Sequence, residues 1–423
     1  MREEFLYYVW LYQKYDAIQL LTTSGKSLRI LRPGYRNQNS GPDFSQAQIE
    51  IDGIRWAGSV EIHVRSTDWL AHKHTTDPAY ENVILHVVWE HNKDIYLADN
   101  QAIPTLELKG KVPLSLLDRH DSLFANMGAA PACLPVLPSV PSIVISQQME
   151  VALMERLRSK TDATKVLLEQ TSQNWEETTY RLIARTLGLP LNAEGFDLIT
   201  QQASLRILRK EAAQPHRIEA ILLGLAGFLA AESDDPYTIL LQKEFQFLRA
   251  KYAFQPIHYL WRWGQMRPPN FPAIKLAQLA TLVRSFPHFF SFLLSAQEPK
   301  ALLKSLQISA DSYWQKRYSL GPEGKTGSPV LGKEKVAMLV TNALVPILIA
   351  YAEINSSEDH TQRALALLEV LPMERNHITK QWAHLPTVPQ ASAYDAQALI
   401  GLHKLYCQPL RCLSCKIGAN IIG

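Results

Sequence analysis

From Glu3 to Tyr15 apolar side chains recur at Phe5, Tyr8, Val9 and Tyr12. That spacing gives one buried helical face, and a first helix is predicted there. The period then shortens. Ser27–Leu31 alternates as a strand does, PGYRNQNSGP at 33–42 supplies turn residues, and Gln46–Ile51 alternates again. Asp52-Gly53 is a hairpin turn signal, so Ile54–Val64 is predicted to return as the second arm. Ser66–Tyr80 is polar, with Pro78 as a breaker, and predicts a short helix or an ordered loop. Val83–Trp89 is a near-continuous apolar run of the kind buried on both faces of a sheet, and Ile103–Leu108 adds one more strand.

Four prolines (Pro131, Pro135, Pro138, Pro141) between Ala129 and Ser142 mark the best boundary in the chain. Beyond them the period is helical almost throughout. Met149, Leu153 and Leu157 repeat at four, and Trp175–Leu187 stops at Gly188 and Pro190. Further helices are predicted over 217–232, 237–252, 272–283, 298–307, 334–352 and 361–371. No fixed repeat is visible, which argues against a solenoid. The expected architecture is α+β: an α/β domain over 1–130, a linker at 131–142, a larger irregular α-helical domain over 143–400, and a cysteine-containing tail at 401–423.

At 423 residues, 47% hydrophobic and 20% charged, the chain is long enough for two or three domains of an ordinary globular protein. Net charge is +3, unevenly spread. Residues 1–135 carry 13 Lys and Arg against 16 Asp and Glu, and the remainder 30 against 24. A weak basic excess is compatible with a phosphate-bearing partner, though a solvated surface produces the same count. MREEFLYYVW lacks the basic start of a signal peptide. Val336–Tyr351, the longest apolar stretch, contains Asn342 and Pro346 and is expected to fall short of a membrane span. A cytoplasmic protein is the expectation.

Chemistry concentrates between Gly34 and His91, where five of the 13 histidines fall. Asp43, at the start of the first hairpin arm, and Glu61, near the end of the second, should meet at one end of the hairpin. Glu61 and His63, two apart on a strand, share a face. Two such carboxylates suit Mg²⁺ or Mn²⁺, with His63 beside Glu61 able to orient a water. The alternative is a polar hairpin end with a structural Asp turn. Asp68, His72, His74, Asp77 and Tyr80 form a second group able to contact substrate, and His63, His72 and His74 are also a zinc-ligand set, which leaves a zinc hydrolase open. His86, inside the apolar strand, is expected to be a buried, hydrogen-bonded histidine. The tail carries Cys407, Cys412 and Cys415 in a C-x₄-C-x₂-C spacing. With Cys133 or His403 it could complete a site for zinc or an iron–sulfur cluster, or the thiols could be small core side chains. Gly321–Gly327 fails as a phosphate loop because Ser319 stands where its first glycine belongs. Trp261–Phe271, which interleaves aromatics with arginines, is best read as an interhelical connection.

Pro42-Asp43 and Glu61-x-His63, set in this order of elements, resemble the PD-(D/E)XK nuclease core. The resemblance implies a metal-dependent phosphodiesterase acting on nucleic acid, with Asp43, Glu61 and His63 catalytic, the metal on Asp43 and Glu61, and Glu3 or Glu4 of the first helix as an extra acid. It departs at His63, where that superfamily carries lysine; a non-catalytic nucleic-acid-binding or assembly module on a degenerate core is therefore the alternative. NSGPDF, WAGSVEIH, the DW-x-x-H-x-H segment, ILHVVWEH, RPPNFPAIKLAQLA and the cysteine tail together resemble an uncharacterised bacterial family, domain of unknown function 2851, over nearly the whole chain.

Overall fold

The computed structural model describes residues 1–37, 40–97, 100–125, 131–264, 266–324, 328–385 and 387–423. Gln38 and Asn39 of the first turn, Ala129 and Ala130 at the start of the expected linker, and Lys325–Gly327 of the glycine-rich loop lie outside them. The chain divides into two compact units. The first comprises Met1–Met149, His384–Val388 and Leu402–Gly423, and the second Glu150–Ala383 and Pro389–Gly401. The division falls inside the long helix Ser142–Gln170, and the C-terminal segment belongs to the first unit.

The first unit is built on a mixed sheet. Helix α1 (Glu3–Leu11) leads to β1 (Leu28–Arg32), the short β2 (Tyr35–Arg36), β3 (Phe44–Ile51) and β4 (Ile54–Arg65). After the crossover come β5 (Val83–Glu90) and β6 (Thr105–Glu107), then helix α3 (Leu114–Ala125); the crossover itself holds α2 (Asp68–Ala71) and two 3₁₀ turns. Strand order is β1-β3-β4-β5-β6, with β2 also paired to β3. β3 and β4 are antiparallel, β4 and β5 parallel. Asp52 (φ 48°) and Gly53 (φ 80°) make the tight turn between β3 and β4, which needs a left-handed backbone at both positions. One face of the sheet carries the main core: Phe5, Leu6 and Val9 of α1 join Phe44, Ile49, Val60, Ile62, Leu85 and Val87. Burying such a side chain is worth about 1.5–3 kcal/mol. A smaller cluster of Trp69, Tyr80, Val83, Ile95 and Ile103 lies under the crossover.

Several sequence expectations are adjusted. α1 stops at Leu11 rather than Tyr15, because Gln13 (φ 49°) turns the chain; Tyr15 is still buried. α3 was not visible as a distinct period. The helix Trp175–Leu187 closes at Gly188 as expected, and Pro190 then lies in the first turn of the next helix, Leu189–Gln202, where its missing N–H costs nothing. The helix expected over 217–232 closes at Leu225, where Gly227 (φ 81°) lets the chain turn back. Asn342 and Pro346 do not break Lys333–Ile354. The chain passes through one π turn, Val340–Leu344, and the Asn342 amide donates to the Met338 carbonyl. The 22 residues are long and apolar enough to cross a membrane by length and composition, and most are buried inside the helical unit. The stretch around Trp261 is a connection, with Trp261 buried and its Nε1 donating to Ala226 O at 2.9 Å.

The helical unit buries one carboxyl of consequence. Glu219 accepts from Trp314 Nε1 at 2.9 Å and from Tyr237 Oη at 3.0 Å, and burial pushes its pKa up from 4.5 to about 7. A raised carboxyl pKa means that the folded state keeps a proton that the unfolded state releases. Stability should therefore fall as pH rises from about 4.5 to about 7 and stay level above, a change of roughly 3 kcal/mol from this group. Glu219→Gln keeps an acceptor for both donors and should remove that slope. Urea midpoints at pH 5 and pH 8 check this: the variant gains on wild type at pH 8 but not at pH 5.

Candidate metal and active site

Glu61 and His63 project from one face of β4, opposite to Val60 and Ile62, and His86 of β5 is the register partner of Glu61. The short crossover folds back over this face, which brings in α2 and the turn after it. Trp69 is fully buried, and its Nε1 donates to Thr75 Oγ1 at 3.0 Å, so the ring fixes the loop that carries His72 and His74. Tyr80 stacks on His74 with ring centroids 3.8 Å apart.

The two carboxylates are locked across the hairpin end. Asp43 N donates to Glu61 Oε2 at 3.0 Å, and Ile62 N donates to Asp43 Oδ2 at 3.0 Å. Tyr7, one helical turn after Glu3, also donates to Asp43. Glu61 Oε1 then faces the histidines, 3.3 Å from His74 Nε2 and 3.6 Å from His63 Nε2. His63 Nε2 lies 3.1 Å from His72 Nδ1, and His63 Nδ1 lies 2.9 Å from His86 Nε2. One donor atom from each of His63, His72 and His74 falls within 4.8 Å of the others.

The electrostatics are those of a site short of positive charge. Burial, then Asp43, pushes Glu61 up to about 9, and burial also raises Asp43 and Glu3. Burial and the neighbouring histidines drive His63 down to about 2 and His86 to about 3; His74 is lowered for the same reasons. His63, His74 and His86 are therefore neutral at physiological pH, with lone pairs available as ligands. His63 cannot supply the fixed charge of a lysine. Tyr80 is raised to about 12 and stays protonated.

A divalent cation fits this donor set. Ligands about 2.0–2.1 Å from a tetrahedral ion stand roughly 3.3 Å apart. Separations of 3.1, 3.3 and 3.6 Å bracket that value. His74 Nε2 is buried and has no hydrogen bond, and His86 Nδ1 likewise lacks one among the described residues. With Nε2 of His63 as ligand, its Nδ1–H donates to His86, the outer hydrogen bond that orients metal-bound imidazoles. Nitrogen-rich donors of this kind suit Zn²⁺ and, through Glu61, Mn²⁺ better than Mg²⁺.

The structure brings together Glu3, Asp43, Glu61, His63, His72, His74 and Tyr80. Asp68 and Asp77 also stand near enough to act on Glu3 and on His74 and Tyr80 respectively, while each accepts one backbone hydrogen bond, Asp68 from Arg65 N at 2.8 Å and Asp77 from Ala79 N at 2.9 Å. Tyr7 and Arg36, whose guanidinium lies 4.6 Å from the Tyr7 ring and lowers Asp43, were missed by sequence reasoning. The i, i+4 spacing of Glu3 and Tyr7 was the available signal. No curated protein and no solved structure matches the chain. The family model described as "Protein of unknown function (DUF2851)" matches residues 3–377, and the chain belongs to that family.

Proposed function

We propose that the chain is a metal-dependent phosphodiesterase acting on nucleic acid, with its ion held by Glu61, His63, His72 and His74. The observation that carries this reading is the clustering of one donor nitrogen from each of His63, His72 and His74 within 4.8 Å of one another, with Glu61 Oε1 3.3 Å from His74 Nε2 and 3.6 Å from His63 Nε2. When bound, such a cation lowers the pKa of a water and polarises a phosphoryl oxygen. Asp43 stands beside the donors with Tyr7 and Ile62 N holding its orientation, which suits it to align an attacking water. Arg36 is exposed near Asp43 and offers a phosphate contact. The choice of a phosphodiester rests on the order of elements: a first helix, an antiparallel hairpin with acids at one end, a crossover, and a parallel strand. The basic excess beyond residue 135 is compatible with a polyanionic substrate.

The test is hydrolysis of a chromogenic phosphodiester, of single- and double-stranded DNA and of RNA, in Mn²⁺, Zn²⁺ or Mg²⁺. Mn²⁺- or Zn²⁺-dependent cleavage is expected, falling by about 10²–10⁴ in Asp43→Asn, which keeps the fold-holding acceptor. Metal binding without cleavage of any of these would transfer the reading to a hydrolase of another ester or amide. Nucleic-acid binding with neither metal nor cleavage would establish the non-catalytic alternative.

A further inference from the structure

The helical unit contains a polar cleft of its own, apart from the histidines. Gln214, His216, Glu219, Thr281, Arg284 and Asp311 line it; it encloses about 350 Å³ counted out to solvent and narrows at its floor to space for a few heavy atoms. It lies at the start of the helix Arg217–Leu225, where His216 takes a left-handed backbone (φ 66°) and its side chain caps nothing. The amides of Arg217, Ile218 and Glu219 find no acceptor among the described residues. Free N–H groups at a helix start attract an anion.

Glu219 is the feature that packing leaves unexplained. It is 6% exposed, and both of its donors, Trp314 Nε1 at 2.9 Å and Tyr237 Oη at 3.0 Å, bind one oxygen, Oε1. Oε2 accepts no hydrogen bond among the described residues, although the carboxyl forms part of the cleft wall. A buried carboxylate oxygen left open on a recess calls for a donor there. Tyr237 is itself held, its ring stacked on Tyr313 with centroids 4.1 Å apart and Tyr313 Oη donating to Asp235 at 3.0 Å. Since the Tyr237 proton is committed to Glu219, His216 Nδ1, 3.4 Å from Tyr237 Oη, must be the donor in that contact. This tautomer leaves His216 Nε2 with a lone pair. Asp311 adds a second carboxylate: its Oδ1 accepts from Tyr313 N at 2.9 Å and from Ser312 Oγ at 3.2 Å, and its Oδ2 accepts nothing among the described residues.

Arg284 brings the opposite charge. It lies in the last turn of the helix Pro272–Ser285, exposed, with its guanidinium in no ion pair or hydrogen bond among the described residues, yet near enough to Glu219 to favour the carboxylate. A ligand with only a positive charge would leave Arg284 and the helix amides unanswered, and one with only a negative charge would face Glu219 and Asp311. A molecule with both charges a few bonds apart answers both sets. We propose that this cleft binds a free α-amino acid, its ammonium on Glu219 Oε2 and His216 Nε2 and its carboxylate on Arg284 and the amides that start the helix. The narrow floor suits glycine or alanine. The proposal does not rest on the reading of the histidine cluster.

The test is calorimetric titration of the full chain at pH 8 with glycine, alanine, methylammonium and acetate. At that pH Glu219 is above its raised value of about 7 and ionised. Saturable binding of glycine or alanine, one per chain, is expected, with each half-molecule weaker by about tenfold or more because it strands one set of partners. Arg284→Gln and Glu219→Gln should each weaken the amino acid by about tenfold or more. Both variants should fold, since Arg284 is exposed and glutamine at 219 still accepts from Trp314 and Tyr237. Arg284→Gln should leave Mn²⁺ binding unchanged. Either half-molecule binding as tightly as the amino acids, an affinity untouched by either substitution, or no saturable binding of glycine or alanine up to about 10 mM would overturn the proposal.

Discussion

Glu61→Gln should make the metal-free protein more stable and the metal-dependent activity vanish. Glu61 is 5% exposed, and its carboxylate is disfavoured by burial and by Asp43. The neutral amide can still accept from Asp43 N and needs no proton, whereas folded Glu61 at pH 8 must hold a proton that the unfolded chain releases. In chelator the variant should gain on the order of 1–2 kcal/mol at pH 8. With Mn²⁺ or Zn²⁺ the order reverses, because the wild type binds the ion and the variant loses its oxygen ligand. Phosphodiester hydrolysis should drop by about 10³ or more, since an oxygen ligand is lost outright where outer partners alone are worth 10–100-fold. Thermal melts with chelator and with metal measure the crossing. A variant less stable than wild type in both conditions would show that Glu61 is a structural acceptor and nothing more.

The second large effect is on the hairpin that presents Asp43. Gly34 has φ 92°, and a Cβ there would lie 2.6 Å from Ser45 O and 3.2 Å from Ala47 N. It sits beside the irregular register of β3, where Gln46 also adopts positive φ (57°). Gly34→Ala therefore combines left-handed strain with a backbone collision that no side-chain rotation relieves. A loss of about 3 kcal/mol or more is expected from the two together. Because β3 carries Asp43 at its start, metal affinity should fall with stability. Urea unfolding followed by tryptophan fluorescence checks the first, and a change under 0.5 kcal/mol would contradict the close approach.

How much of this was legible depends on the range of the contact. The hairpin was readable from Asp52-Gly53 and the alternation on either side. The shared face of Glu61 and His63 followed from strand geometry alone. His72 and His74 reach His63 because the crossover is short, so a cluster dense in sequence stays dense in space. Asp68 and Asp77 belong to the same dense stretch, but Ser/Asp-type side chains near turns compete for local backbone amides, and here the backbone holds them. The roles of Tyr7, Arg36 and His86 depend on how α1 and β5 dock against β4, which no spacing encodes. Gly188 and Pro190 correctly marked the end of Trp175–Leu187, but that a new helix starts at once depends on the turn at Leu189 (φ 55°), which the spacing does not encode.

The central claim is that Glu61, His63, His72 and His74 together bind a divalent cation. Mn²⁺ tests it most directly, because it prefers oxygen and imidazole donors over thiolates. Pulsed electron paramagnetic resonance of chelator-treated protein titrated with Mn²⁺ should show one ion per chain with modulation from histidine nitrogens, diminished in His74→Ala and absent in Glu61→Gln. Mn²⁺ that stays in solution, or binds with no nitrogen coupling, would contradict the account.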